Sequence, residues 1–502
     1  MPQQRENRDA VDVGDHRQLL IDDRLVDAMG NLRYITGRPE FPRENLLPVD
    51  RPWEEGRAGL WASLLHDGER FHLWYDAYAW DAQSGNIAQD SHCFCYAMSE
   101  DGVRFEKPEL GLFEVGGNRA NNVVMRGVNG PVFCDPHAPP EKRFRALMEV
   151  HPRRGPAHWA ETRGVDHQHP WMFYSPDGIR WQRPAHPFVD RWLGATQSVM
   201  WDDRIGRWVF YLRAHHPRKH GSHRCFVRVE VEADGLDGVV ELPERPGPER
   251  GTHSLTDELP LVLDVDEEDP PGAQFYVSNV FKYPGGEDVY LALPSIWYDP
   301  RQGEASDKME VQMLFSRDGI DWRRPDRTPV ISPGPVGSET AGQVYVIPDP
   351  VLVGEELWVY YMGFGEDHFA ANREEVIRKG SGRLSRAIWL RDRFRGLETV
   401  GRGTGTLVTV PLRFRGERLC LNLDAAAAGC VRVAVESTDG APISGYTLDE
   451  ALPIYGNGTS LIASWTHGSD IKALAGRPVR LLLDLQACTV FAFGFCGAGE
   501  CP

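Results

Sequence analysis

The chain has 502 residues, 41% of them hydrophobic and 25% charged, a length that exceeds one compact core and implies two or more domains. Acidic residues (73 Asp and Glu) outnumber basic ones (55 Lys and Arg), for a formal net charge of -18. That balance argues against a nucleic-acid partner, because phosphate backbones are bound by an excess of basic charge, and it leaves neutral ligands such as sugars open.

Residues 1–16 are polar and charged, with no apolar stretch that could serve as a signal peptide. The expected location is the cytoplasm, or outside the cell if a leader has been removed. No run of about 18 apolar residues occurs, so no membrane-spanning helix is expected. The stretch 10–40 holds strand-like pieces (LLIDDRLVDAMGNLRYITGRP), and the segment 1–40 is expected to brace the last unit of the repeat that follows it.

From residue 41 one pattern recurs: Ser-x-Asp-Gly, two residues, an aromatic, one residue, a basic residue and Pro. Its copies are Ser99, Asp101, Gly102, Phe105, Lys107, Pro108; Ser175, Asp177, Gly178, Trp181, Arg183, Pro184; and Ser316, Asp318, Gly319, Trp322, Arg324, Pro325. Ser99 and Ser175 stand 76 apart and Ser175 and Ser316 stand 141 apart, so one copy has decayed between them, in the stretch 225–234. A weak fifth copy is read at Ser385. Each copy follows an apolar strand-like run, and Asp-Gly supplies the positive-φ residue that a tight hairpin needs. The repeated acids are therefore read as turn residues.

A second hairpin precedes each copy, beginning at Trp61, Pro131, Gln197, Ser278 and Gln343, with an apolar strand, a turn rich in Asp, Gly or Pro, and an aromatic-rich strand. Two hairpins per unit of about 70 residues make a four-stranded blade, and five blades closing around an axis hide most sheet edges. After residue 401 the composition turns to Ala, Gly, Leu and Val, with short alternating runs (TLVTVPLRF, RLCLNL, CVRVAVES, RPVRLLLDL, TVFAFGF) and Asn457-Gly458 and Asp439-Gly440 turns. This reads as a β-sandwich. The expectation is an all-β chain: a five-bladed β-propeller over 41–400 and a C-terminal β-sandwich over 401–502. The nine cysteines form no Cys-x-x-Cys pair, and Cys93 and Cys95, two apart in a strand-like run, read as reduced core residues.

A five-bladed propeller with YSPDGIRW-type hairpins followed by a β-sandwich resembles the glycoside hydrolase family 32 and 43 superfamily. The C-terminal SGYTLDEALPIYGNGTSLIASW and GRPVRLLLDLQACTVFAFGF look like the sandwich of a bacterial branch of that group. The resemblance implies carboxylates from separate blades converging on the axis at the starts of the innermost strands. A glycosidic bond needs a proton for its leaving oxygen and a negative group or activated water at the anomeric carbon. The chain departs from the family 32 signatures: Asn-Asp-Pro-Asn-Gly, Arg-Asp-Pro and Glu-Cys are absent at the matching strand starts, and Asp135-Pro136 follows its strand and belongs to the opposite face.

On this reading the functional face collects the starts of the innermost strands and the loops between the second and third strands of each blade. Candidate catalytic residues are Glu54, Glu339 and Asp367. Candidate substrate-binding residues are Trp53, Arg57, Trp80, Gln197, Arg213, Tyr276, Trp297 and His368, with the aromatics as sugar platforms and the arginines for hydroxyls, uronate or phosphate. The inter-hairpin loops add Asp76, Tyr78, Asp81, Glu149, His151 and His215. Two histidine groups (His151, His158, His167, His169 and His215, His216, His220, His223) show no metal-ligand spacing with matching carboxylates, so no metal site is read and no cofactor is required. A structural Ca²⁺ or other axial ion is compatible.

The leading functional reading is a glycosidase using carboxylate acid–base chemistry in the axial pocket, with a carbohydrate substrate and no nucleic-acid or membrane partner. A glycoside phosphorylase, with one general acid and a basic phosphate cradle, is the enzymatic alternative. A carbohydrate-binding propeller without turnover is the non-enzymatic one.

Overall fold

A computed structural model describes residues 9–88, 90–150, 169–189, 193–194, 197–218, 221–242, 259–285, 288–303, 306–368 and 379–497. His151, His158, His167 and His220 lie outside the described residues. Among the described residues there are strands and short 3₁₀ turns and no α-helix.

Five antiparallel blades follow one another along the chain. Blade one orders Arg57–His66, Phe71–Tyr78, Cys93–Ser99 and Val123–Arg126 from the axis outward. Blade two starts with an inner strand broken at Gly130 (Val128–Asn129 and Val132–Cys134), then Phe144–Val150 and Pro170–Ser175. Blade three is Ser198–Asp202, Arg207–Arg218, Gly221–Val231 and Leu261–Leu263. Blade four has each of its first three strands interrupted midway, beginning with Ala273–Val277 and Val280–Lys282. Blade five pairs Gln343–Val346 and Val351–Val353 with Glu356–Phe364, and that strand with Arg383–Leu390.

The blades are joined by repeated polar contacts as well as by apolar cores. Val132 N donates to Ser63 Oγ, Val280 N to Ser198 Oγ, and Ser295 Oγ to Val344 O, at 2.9, 3.0 and 2.9 Å. The ring closes where Ala58 N of blade one donates to Ser381 O of blade five at 3.0 Å. Apolar clusters fill the blade interfaces: Trp74 with Phe144 and Trp171, Phe133 with Trp208, Tyr211 with Phe275, and Val311 with Val359 are examples.

The Ser-x-Asp-Gly turns explain why that sequence recurs. In each, the Asp side chain accepts from the amides two and three residues on (Val103 and Arg104, Ile179 and Arg180, Ile320 and Asp321), and the Gly amide donates to the Ser hydroxyl. Gly102, Gly178 and Gly319 hold φ of 70°, 71° and 74°, a region L side chains avoid. Their carbonyls accept from Tyr360, Trp74 and Tyr211 of the preceding blade, at 2.9, 2.6 and 2.8 Å. The turn is thus a docking element between blades. The fifth copy sits elsewhere than expected: Ser385 is inside the strand Arg383–Leu390, and the turn follows it, with Asp392 at φ 64°.

The N-terminal segment does more than brace the propeller. Leu32–Thr36 pairs with Arg395–Thr399, Val26–Gly30 with Thr404–Thr409, Gln18–Leu19 with Arg480–Cys496, and Val11–Gly14 runs parallel to Leu412–Phe414. Val13, Leu20, Leu25 and Leu32 are buried in the same core as Leu407, Leu421, Val433 and Leu483. These residues complete the C-terminal β-domain and also pack on the propeller: Leu19 and Ile21 share a core with Leu291, Val344, Val359 and Trp389, Trp389 Nε1 donates to Gly37 O at 3.2 Å, and Glu40 pairs with Ile388. The C-terminal β-domain is built on one eight-stranded sheet around two long strands, Arg418–Glu436 and Arg480–Cys496. Each covers two runs that the sequence pattern separates, because a bulge at Ala425/Cys430, opposite Ala487 at φ 42°, bends the pair without ending it.

Candidate functional site

The starts of the innermost strands and the ends of the second strands share one face of the propeller. Three inner-strand aromatics meet across the axis there: Trp61 of blade one stacks on Tyr276 of blade four (6.4 Å between centroids, 8° between planes) and meets Tyr345 of blade five edge-on at 5.6 Å. Further along the inner strands lies an apolar cavity lined by Leu60, Pro131, Gln197, Val277, Ile347 and Pro348.

Around the aromatic layer the structure gathers cations. Arg57 is 6% exposed and lies 4.1 Å over the Phe364 ring. Arg213, 7% exposed, donates from Nε to Leu193 O at 3.2 Å and lies 5.6 Å from the Tyr276 ring. Arg224 donates to Gln274 Oε1 at 2.9 Å and lies 5.0 and 5.2 Å from the rings of Tyr276 and Trp297. Arg57 Nε and Nη2, Arg213 Nη1 and Arg224 Nε are buried and have no hydrogen-bond acceptor among the described residues. Burial holds Arg224 down at about 10, with Arg213 and Arg301 adding repulsion. Gly194, at φ 76°, leaves the room that Arg213 needs, since a Cβ there would fall 1.5 Å from the guanidinium.

The histidines nearby are neutral. His215 and His368 are each pushed down to about 3, by burial first and then by the arginines. His368 packs against Tyr276 and Trp297 at 4.8 and 4.5 Å. Trp297 is fully buried, with Nε1 donating to Asp307 Oδ1 at 3.1 Å. Tyr276 and Trp297 therefore carry Arg213 and Arg224 by cation–π contact instead of offering open faces to a sugar. Gln197, through Oε1, accepts from Arg213 N at 2.8 Å and braces the arginine's backbone.

The acids expected to catalyse are dispersed. Glu54 is fully buried, accepts from Tyr75 Oη at 2.6 Å and pairs with Lys107 at 2.7 Å. Lys107 is the basic residue of the first repeat, so Glu54 belongs to the blade-one scaffold. Trp53 beside it donates from Nε1 to Asn122 at 3.0 Å within that same network. Glu339 is exposed and pairs with Arg383 at 2.6 Å. Asp367 is partly exposed and pairs with Lys308 at 3.0 Å. Trp80 sits in a two-residue hairpin with Asn86–Ile87. Asp135 lies in the turn on the opposite side, bonded to Arg145 at 3.3 Å.

One acid stands out beside the arginines. Asp76 is fully buried, opposite a bulge at 59–61, and its Oδ1 accepts from Trp61 N at 3.1 Å. Burial pushes it up to about 6, although the bulge amides and Arg57 pull the other way. Asp299, also buried, accepts from Gln274 and Arg301 at 3.0 and 2.8 Å; burial raises its pKa, but these bonds outweigh it and hold the carboxylate ionised. The surroundings of Arg224, Asp299 and Asp76 are not legible in the sequence: each depends on partners from a facing strand or another blade.

No protein-family model and no curated protein match the chain. Among solved structures, a glycosyl hydrolase from Bacteroides ovatus is similar at 11% identity, over 71% of this chain and 94% of that one, with a TM-score of 0.41. A second, described under the family 130 of mannoside phosphorylases as containing glycoside hydrolases that target β-1,2-mannosidic linkages in Candida mannan, is similar at 13% identity, over 74% and 96%, at 0.42. An N-acetylgalactosamine deacetylase from F. plautii in complex with blood group B trisaccharide is similar at 14%, over 72% and 97%, at 0.41.

Proposed function

We propose that the chain is a carbohydrate-active enzyme that cleaves a glycosidic bond by phosphorolysis in the axial pocket. One observation carries this reading: Arg57, Arg213 and Arg224, from blades one and three, present buried N–H groups without an acceptor among the described residues. A buried guanidinium left unpaired is costly, and a tetrahedral oxyanion supplies acceptors to several such donors at once. Buried acids also stand at the ends of the second strands, Asp76, Glu149 and Glu366, so hydrolysis by a pair of carboxylates is the alternative that the phosphate test separates.

In this reading the arginines hold phosphate, and neutral His215 and His368 contribute hydrogen bonds without adding charge. Asp76, raised to about 6, holds the proton in mildly acidic solution and gives it up as the pH passes that value. A phosphate oxygen forms the new bond to the anomeric carbon as the glycosidic C–O bond breaks. The leaving oxygen takes the Asp76 proton, so the products are a sugar 1-phosphate and the shortened acceptor.

The test combines inorganic phosphate with a panel of β-linked and α-linked oligosaccharides and measures sugar 1-phosphate. Phosphate-dependent release is expected, with phosphate affinity reduced at least about tenfold in Arg224→Gln and Arg213→Gln, since each charge-assisted hydrogen bond contributes roughly 1.5–3 kcal/mol. Glycoside cleavage indifferent to phosphate, with no phosphate binding by calorimetry, would overturn the proposal and return a hydrolase.

A further inference from the structure

Blade three carries a second cluster of polar groups, on the back of the ribbon that bears the pocket cations. Its two long strands, Arg207–Arg218 and Gly221–Val231, pair in the register His215 opposite Arg224 and His216 opposite His223. Side chains alternate along a strand. Arg213, His215 and Arg224 therefore share the face toward the axial pocket, and His216 and His223 share the other. The next strand, Leu261–Leu263, delivers Asp264 onto that second face.

There the three side chains converge. His216 Nδ1 lies 2.8 Å from Asp264 Oδ2, and His223 Nε2 lies 2.5 Å from Asp264 Oδ1. One donor atom from each residue falls within 4.8 Å of the others. Val265 N donates to Asp264 Oδ1 at 2.8 Å and fixes the carboxylate's orientation. The cluster is closed on one side and open on the other: the side chains of His223 and Asp264 are 4% and 17% exposed, and that of His216 is 43% exposed.

We propose that His216, His223 and Asp264 form a binding site for a divalent first-row transition metal of the zinc class. Two imidazoles and one carboxylate are a donor set such ions accept, with bonds of about 2.0–2.2 Å and at least one position left for water. Ligands at that distance from a shared tetrahedral ion stand roughly 3.3 Å apart, so the two His–Asp264 contacts would open and the donor atoms, now within 4.8 Å of one another, would settle around the ion. The three ligands come from three adjacent strands whose register is already fixed, so little ordering opposes binding. An ion here would tie the blade's fourth strand to the hairpin and brace the far side of the ribbon that carries Arg213 and Arg224. The competing description is a His–Asp–His hydrogen-bonded bridge that never binds metal.

The experiment uses the full chain stripped with a chelator and titrated with Zn²⁺ by calorimetry and with Co²⁺ by visible absorption. Wild type is expected to take up one equivalent, with ligand-field bands from bound Co²⁺ and a Tm that rises with free metal. His223→Ala and Asp264→Ala are expected to lose the site. His216→Ala, at a half-exposed position where the fold is safe, is expected to bind at least about tenfold more weakly. Absence of saturable binding in wild type, or stoichiometry and affinity unchanged in His216→Ala, would overturn the assignment and leave the hydrogen-bonded bridge.

Discussion

The charged residues of blade one's lead-in and those of the axial pocket are equally buried and differently satisfied. Glu54 accepts from Tyr75 and meets Lys107, which also reaches Pro48 O and Asp50. Arg57, three positions further on, keeps Nε and Nη2 without an acceptor among the described residues. Position in the fold does not separate the two, because both precede or begin the same inner strand. Satisfaction of hydrogen bonds does: Glu54 is paired within blade one, and on the proposed reading the open N–H groups of Arg57 are the ones that phosphate takes up.

The largest expected effect breaks the satisfied side of that comparison. Glu54→Ala removes the partner of a buried lysine and of Tyr75, and should cost about 3–5 kcal/mol of stability. Chemical denaturation measures the loss, and binding of phosphate by the fraction still folded should be unchanged. A Glu54→Ala protein of wild-type stability that had lost only ligand binding would return Glu54 to the site.

A smaller effect sharpens the other side. Asp76 has its folded-state pKa raised to about 6 against an ordinary 3.8. Between those values the folded state binds more protons than the unfolded one, so this group makes stability fall as pH rises from about 4 to about 6, with no further change above. Asp76→Asn should flatten that part of the stability–pH profile, measured by urea denaturation at fixed ionic strength. If Asp76 is the proton donor, turnover of the wild type should also decline above pH 6, and the Asn variant should lose it. A profile of stability identical in the two proteins would place the titrating group elsewhere.

Legibility in the sequence followed the range of the interactions. The Ser-x-Asp-Gly spacing revealed the blades because its chemistry is local, an Asp bonding amides two and three residues on. Where the local chemistry had drifted, as at Asp392, the copy was placed at Ser385 instead. The place of residues 11–36 in the C-terminal β-domain rests on pairing with strands at the far end of the chain, from Arg395 to Phe493, and no short-range pattern announces it. Glu54 looked catalytic because its partner Lys107 lies 53 positions on. Arg57, Arg213, Tyr276 and His368 are legible as candidates from their places at strand ends, while Arg224 and Asp264 need the hairpin register and the neighbouring strand.

The smallest expected effects lie in the turns, and they separate two roles inside one motif. Asp177 is only half-buried, and the amides it bonds, Ile179 and Arg180, can turn to water if it is lost. Asp177→Ala should therefore cost about 1 kcal/mol, the ordinary value of a capping side chain. Gly178 carries a heavier load: its φ is 71°, and a Cβ would meet the buried Trp74 ring of blade one at 2.5 Å. Gly178→Ala must strain the backbone and push Trp74, whose Nε1 donates to the Gly178 carbonyl, so roughly 2–4 kcal/mol is expected. Thermal unfolding of the two variants side by side gives the order. If Asp177→Ala proved the more damaging, the turn would be holding its own hairpin, and the contact between blades one and two would depend on the apolar core alone.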